Sequence, residues 1–249
     1  MQFLKKILIL ITYFCYIKSI KNPTNIWEGN SSKLPDKHIL SILQSHNNYR
    51  SQIANGEAKS NTENLPKSAN MVQLYWHETL ARNAQIWANN CEYKNSGEQL
   101  RSIAGKFIGE NIFKTTTSGE IKPDLMDWDG IIQKWQEESK KFSIKDIYPF
   151  QPSEKYKNFS QLAWANSLYV GCGYSAYKNK NGDTNQLYVC QYSPGGNILI
   201  NELYNEGEVC SNCPTGYLCK SEYKGLCCVE KFCMKDSISI KKRLKYKLK

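Results

Sequence analysis

Past residue 17 this 249-residue chain has no apolar run long enough to cross a bilayer, so a later membrane-spanning helix is excluded. It has no repeat of fixed period, which excludes a solenoid, and its asparagines and lysines are dispersed rather than gathered into a low-complexity tract. Cysteine is scarce over most of the length, with only Cys91, Cys172 and Cys190 between residues 20 and 204. Imidazole is scarce throughout, since His38, His46 and His77 are the whole supply. Any histidine-based metal chemistry must come from those three.

At the N-terminus, Lys5 and Lys6 precede an apolar run from Ile7 to Ile17, too short to span a membrane but suited to a secretory signal, with Ser19 as the cleavage residue. Removal of residues 1–19 takes away Lys5, Lys6, Lys18 and Cys15 and no acid, so the formal charge falls from +10 to +7 and nine cysteines remain. Secretion together with many cysteines predicts disulfides. Lys241, Lys242, Arg243, Lys245, Lys247 and Lys249 crowd the C-terminus, and without them the body is nearly neutral. A basic tail of this kind, residues 234–249, is suited to contact with anionic surfaces, although a disordered solubilising role explains it as well. Nucleic acid is not an expected partner outside the cell.

Six cysteines fall between Cys210 and Cys233, in a segment too small to bury a core of its own and therefore expected to be a disulfide-stapled module. The larger body reads as mixed helices and strands. Pro35-Asp36 starts a helix whose apolar positions Ile39, Leu40, Ile42, Leu43, Tyr49 and Ile53 keep helical spacing up to Gly56. Trp76, Leu80, Ala84, Trp87, Ala88 and Cys91 form a second such stripe, and Trp128, Ile131, Ile132, Trp135 and Phe142 a third. Residues 168–176 and 186–192 read as strands joined through Asn181-Gly182, a dipeptide suited to a turn with positive φ.

Four motifs then recur in order: His46-Asn47-Asn48-Tyr49-Arg50; Trp87-Ala88 with Cys91; Gly109-Glu110-Asn111-Ile112; and the pair Lys157-Asn158-Phe159-Ser160-Gln161-Leu162-Ala163-Trp164 and Tyr188-Val189-Cys190-Gln191-Tyr192-Ser193-Pro194-Gly195-Gly196-Asn197, with Val170-Gly171-Cys172-Gly173 between them. Together they resemble the CAP superfamily: cysteine-rich secretory proteins, antigen 5 and plant pathogenesis-related 1. The resemblance implies an α+β fold, a three-layer α-β-α sandwich with a central antiparallel sheet, over residues 37–204. An N-terminal extension at 20–36 would precede it, and a small disulfide-rich, hinge-like appendage at 205–233 would follow.

Many members of that family hold two histidines and two glutamates in a central cleft, where a divalent metal such as zinc binds through the imidazoles. Carried over residue by residue, the glutamates are Glu110 and Glu138, whereas the histidine positions hold Asn95 and Asn158. An amide offers zinc only a neutral carbonyl oxygen, so no metal and no cofactor are expected, with a weak oxygen-liganded cation as the lesser alternative. Without a cation, the two acids would face each other as like charges unless amides compensate, or each would hold a loop through backbone amides. His46 reads as a structural residue. Asn158-Phe159-Ser160 is formally a glycosylation acceptor, but its cleft position argues against use, which leaves Asn30 as the expected site.

The resemblance also implies the disulfides Cys172–Cys190, Cys210–Cys219 and Cys213–Cys227. The family partner of Cys91 falls on Tyr177, so a buried free Cys91 is expected, with Cys228 and Cys233 left open. The implied function is that of a secreted, non-enzymatic binding protein resembling venom allergen-like proteins. Lipid, sterol or an extracellular host protein is the expected partner, and the loop from Phe113 to Trp128 would form a flexible rim. A hydrolase built on Glu110 and Glu138 lacks a nucleophile, and Ser160 has no identifiable base. A hinge-mediated channel or receptor modulator is the remaining alternative.

Overall fold

The computed structural model of the protein describes residues 33–97, 100–103, 105–118 and 126–233. The expected signal segment, Asn30 and the basic tail lie outside these residues.

The first helix, α1, spans Asp36–Ala54 behind Pro35, and the chain leaves it through Gly56 at φ 73°, a conformation that suits glycine. A two-residue strand, β1 (Tyr75–Trp76), then leads into α2 (Glu78–Ala88), whose first turn is capped by the His77 side chain accepting from Leu80 N–H. Trp76 and Cys91, read from sequence as part of this helical stripe, flank the helix instead. Strands β2 (Ser102–Ile103) and β3 (Lys106–Phe107) make a small hairpin before the long strand β4 (Gly109–Thr117). The stretch from Phe113 to Thr117 is thus strand and not the expected loop, and residues 119–125 lie outside the described residues. Helix α3 (Trp128–Glu137), capped by Asp127, tightens into a 3₁₀ turn at Glu138–Lys141. Helix α4 (Lys157–Ala163) precedes the hairpin of β5 (Tyr169–Lys178) and β6 (Thr184–Ser193), which turns at Gly182 with φ 82°.

The main sheet has the order β1-β5-β6-β4. It is antiparallel except at its edge, where the short β1 runs parallel to β5. Alternation along β5 and β6 sends Val170, Cys172, Tyr174, Tyr188, Cys190 and Tyr192 to one face, where they join the large core with α1, α3 and α4. Leu187 and Val189 face the other way, where they meet Ala84 and Ala88 of α2 and Ile112 of β4. Helices on both faces of a sheet make the three-layer α-β-α sandwich.

The Val-Gly-Cys-Gly motif of β5 has a physical reading on these faces. A Cβ on Gly171 would sit 2.2 Å from Ala81 N, and one on Gly173 would sit 2.3 Å from Gln85 N. Glycine at both positions lets the backbone of α2 lie directly on the strand. Between them, Cys172 points to the opposite face and bonds Cys190, its register partner on β6.

The cysteine-rich segment carries Cys210–Cys219, Cys213–Cys227 and Cys228–Cys233, around a short hairpin of β7 (Tyr217–Leu218) and β8 (Cys228–Val229) that runs into one turn of helix, α5 (Glu230–Cys233). It packs into the body rather than hanging from it: Cys227 N–H donates to Met71 O, Gln73 N–H donates to Cys227 O, and Leu226 is fully buried in the main core. Cys91, expected as a free thiol, is disulfide-bonded, and no described cysteine is free. It stands just past α2 with φ 58° and is buried, at about 9% exposure.

Candidate functional site

The first-helix motif does tertiary work with nearly every side chain. Asn47 clamps residue 74 through both ends of its amide, Nδ2 donating to Leu74 O at 3.0 Å and Oδ1 accepting from Leu74 N–H at 2.8 Å. Arg50, fully buried, donates to the carbonyls of Val72, Leu162, Trp164 and Ala165, each at 2.8 Å, and ties α1 to the segment before β1 and to the C-terminal end of α4. The loss of hydration lowers its pKa to about 9, and the carbonyl cage is what accommodates the charge.

His46, also fully buried, faces Ile42 O through Nδ1 at 2.7 Å and Tyr192 OH through Nε2 at 2.8 Å. A carbonyl can only accept, so Nδ1 carries the proton and Nε2 accepts from the phenol. Burial lowers the imidazole pKa to about 4, and the nearby Arg50 guanidinium pushes in the same direction. His46 is therefore a neutral structural imidazole.

The four residues that the resemblance assigns to a cleft fall into two acid–amide pairs. Glu110 sits near the start of β4 and is 8% exposed. Its Oε1 accepts from Ser96 N–H at 2.7 Å and from Asn95 Nδ2 at 3.2 Å, and its Oε2 accepts from Gln191 Nε2 at 3.1 Å. Glu138 opens the 3₁₀ turn after α3. Its Oε2 accepts from the N–H groups of Asn158 at 2.9 Å and Phe159 at 3.2 Å, and its Oε1 accepts from Asn158 Nδ2 at 2.7 Å.

Those two backbone donors belong to the first turn of α4, which has no side-chain cap of its own at Tyr156. Glu138 supplies that cap from a distant part of the chain, and its charge suits the positive end of the helix. Asn95 and Asn158 thus each donate an amide nitrogen to the neighbouring acid. No lysine or arginine pairs with either acid among the described residues.

Two more side chains belong to this arrangement and were missed from sequence. Gln191 reaches Glu110 because β6 pairs with β4 in the register Glu110↔Gln191. Asn111, next to Glu110, donates to the Asn158 carbonyl at 2.9 Å and to Tyr192 OH at 3.3 Å, so it links α4 to the sheet and to His46. The only signal for either was its place inside a motif, and the pairing that uses it appears once the strands are aligned. Asn158 is 7% exposed, in keeping with the argument against a glycan there. Ser160 Oγ is buried, donating to Tyr156 O at 2.9 Å and lying 2.6 Å from Asn197 Oδ1, with no base beside it.

The sequence profile of the cysteine-rich secretory protein family, CAP, matches residues 43–192. Venom allergen 5 of Tityus serrulatus is 34% identical over 222 residues, covering 86% of this chain and 51% of that protein. The chain spans about half the length of the curated relatives it matches. Among solved structures, Na-ASP-1 is similar at a TM-score of 0.65 and 27% identity, over 83% of this chain and 51% of its own. NaASP2, solved with Zn2+, is similar at a TM-score of 0.58 and 25% identity, over 72% and 90% respectively.

Proposed function

The chain belongs to the cysteine-rich secretory protein (CAP) family, and from that membership we propose that it is a secreted binding protein without catalytic activity, whose family cleft is closed by acid–amide pairing. The observation that carries this reading is the occupancy of both carboxylates. Glu110 and Glu138 each accept three hydrogen bonds from amide groups. These bonds take three of the roughly four lone-pair sites of each carboxylate, so neither acid is an unengaged base or a ready metal ligand.

NaASP2 was solved with Zn2+, and the residues here do not fit that ion. Zinc favours imidazole nitrogen and thiolate, whereas Asn95 and Asn158 turn amide nitrogens, which are donors and not ligands, toward the acids. No reaction step is routed through a metal.

The cargo or partner is lipid, sterol or an extracellular protein. Supporting this is an exposed apolar segment, Ile198-Leu199-Ile200, tethered to α4 through Asn197, whose Nδ2 donates to Lys157 O at 2.9 Å. A contact there would lie next to the cleft helix.

Two measurements test the reading. Metal analysis of the purified secreted protein should find less than stoichiometric zinc, and a zinc titration should leave its melting temperature unchanged. One bound zinc per chain would overturn the closed cleft. Labelled sterol and fatty acid should bind saturably at micromolar protein; if neither does, the lipid branch fails and the protein-partner branch stands.

A further inference from the structure

Away from the cleft, on the outer seam between α1 and α3, lies a cavity of about 270 Å³. Its walls are two helical stripes facing each other. Ser45, Asn48 and Gln52 come from α1, with Tyr49 beside them, at spacings of three, one and three residues; Asp129, Gln133 and Gln136 come from α3 at spacings of four and three. No aliphatic side chain lines it.

These walls are polar and largely face solvent, with Asn48, Gln52, Asp129 and Gln133 exposed. Asp129 Oδ1 accepts from Ser41 Oγ at 2.8 Å and from Ser45 Oγ, one turn further along α1, which fixes the carboxylate, and Oδ2 has no protein donor among the described residues. The side-chain amides of Asn48, Gln52 and Gln136 make no hydrogen bond among the described residues. Three amides, each with a coplanar donor and acceptor, therefore stand around one anchored acceptor. Tyr49, only 6% exposed, contributes a ring that is held in the core.

The donor set narrows the occupant by elimination. An acyl chain would strip water from three amides and a carboxylate and replace none of their hydrogen bonds. An anion such as phosphate would meet Asp129, the single charge of the lining, with no cation beside it. A divalent cation needs six or more oxygens in a tight shell, and here one carboxylate oxygen is already taken by two serine hydroxyls. What remains is a neutral ligand with many hydroxyls, since each primary amide can give and accept across neighbouring hydroxyl groups. The volume sits just under the ~300 Å³ at which clefts for drug-sized ligands begin, enough for one ring.

We propose that this seam is a binding subsite for a single neutral sugar ring, either free or as the terminal unit of a glycan. It goes beyond the closed-cleft reading and does not rest on it, because none of its side chains bonds the Glu110 or Glu138 carboxylate.

The test is saturation-transfer NMR on the full secreted protein with D-glucose, D-galactose, D-mannose and N-acetyl-D-glucosamine, alongside binding of the protein to the same sugars immobilised as terminal glycan units. The expected result is transfer to at least one ring, weakened at least tenfold by the double variant Asn48→Ala, Gln136→Ala, with an unchanged melting temperature because neither amide holds the fold. The variant Gln52→Phe, which fills the seam from an exposed position, should abolish binding as well. Binding only in the immobilised arm, with the same sensitivity to the variants, identifies a glycoconjugate as the source. No signal in either arm, or a signal that both variants leave intact, overturns the proposal.

Discussion

Replacing Glu138 separates a structural clamp from a catalytic or metal-binding acid. Its carboxylate holds two N–H groups of the first turn of α4 and the Asn158 amide. Glu138→Ala removes the cap, which costs about 0.5–2 kcal/mol by analogy with other helix N-caps. It also leaves Asn158 Nδ2 buried without an acceptor, for roughly 1–3 kcal/mol more. Since Glu138 is only partly buried and water replaces part of what is lost, we expect a total of about 2–4 kcal/mol.

Glu138→Gln behaves differently. The amide oxygen can still accept from the two backbone donors, and its NH2 can turn toward Asn158 Oδ1, a buried acceptor that has no partner in the native arrangement. That variant should lose only about 1 kcal/mol. Urea unfolding followed by tryptophan fluorescence reads both variants. Equal losses for the two, or a loss below ~0.5 kcal/mol for Glu138→Ala, would refute the capping argument.

Two further perturbations test the packing. Gly173→Ala places a Cβ 2.3 Å from Gln85 N and 2.4 Å from its Cα, both backbone atoms that can retreat only if α2 lifts off the sheet. It should destabilise by about 1–3 kcal/mol or prevent secretion, and a variant as stable as the parent in urea would contradict the close approach of helix and strand. For His46 the folded pKa of about 4 lies below its ordinary value of 6.5. The stability carried by the neutral ring is therefore complete above pH 6.5 and is lost as the pH falls through about 4. At ~1.4 kcal/mol per pH unit the loss is about 3 kcal/mol. Melting curves from pH 7 to 4 should show this component in the parent and not in His46→Gln, and superimposable pH profiles would count against it.

How much of this was legible depended on whether a residue's role is local. The α1 stripe ran true from Asp36 because helical spacing and a Pro-Asp start are local signals. Trp76 was misread as helix because an apolar residue at the right spacing looks the same on a two-residue strand. Asn95 and Asn158 could be recognised as amides at histidine positions, but the direction in which each amide points is set by its neighbouring acid and could not be read. Gln191 was invisible because it reaches Glu110 through strand register. Cys91 was misjudged because a disulfide partner is set by proximity in the fold, which the family spacing that fails at Tyr177 does not report.

The sequence by itself determined the layers of this protein, since apolar periodicity and the glycine–cysteine alternation of β5 specify which faces bury and which accept a helix backbone. It also placed asparagine at positions 95 and 158, where the resemblance leads one to expect histidine. Tertiary structure alone decided how those amides are used. Six amide donors, from three segments far apart in the chain, converge on two carboxylates, and hydrogen bonds are short-ranged and directional, so only the folded geometry could assign Glu110 and Glu138 to clamps. The facing polar stripes of α1 and α3 became a cavity for the same reason. Each is an ordinary solvent face along its own helix, and they form a single site only when the two helices pack side by side.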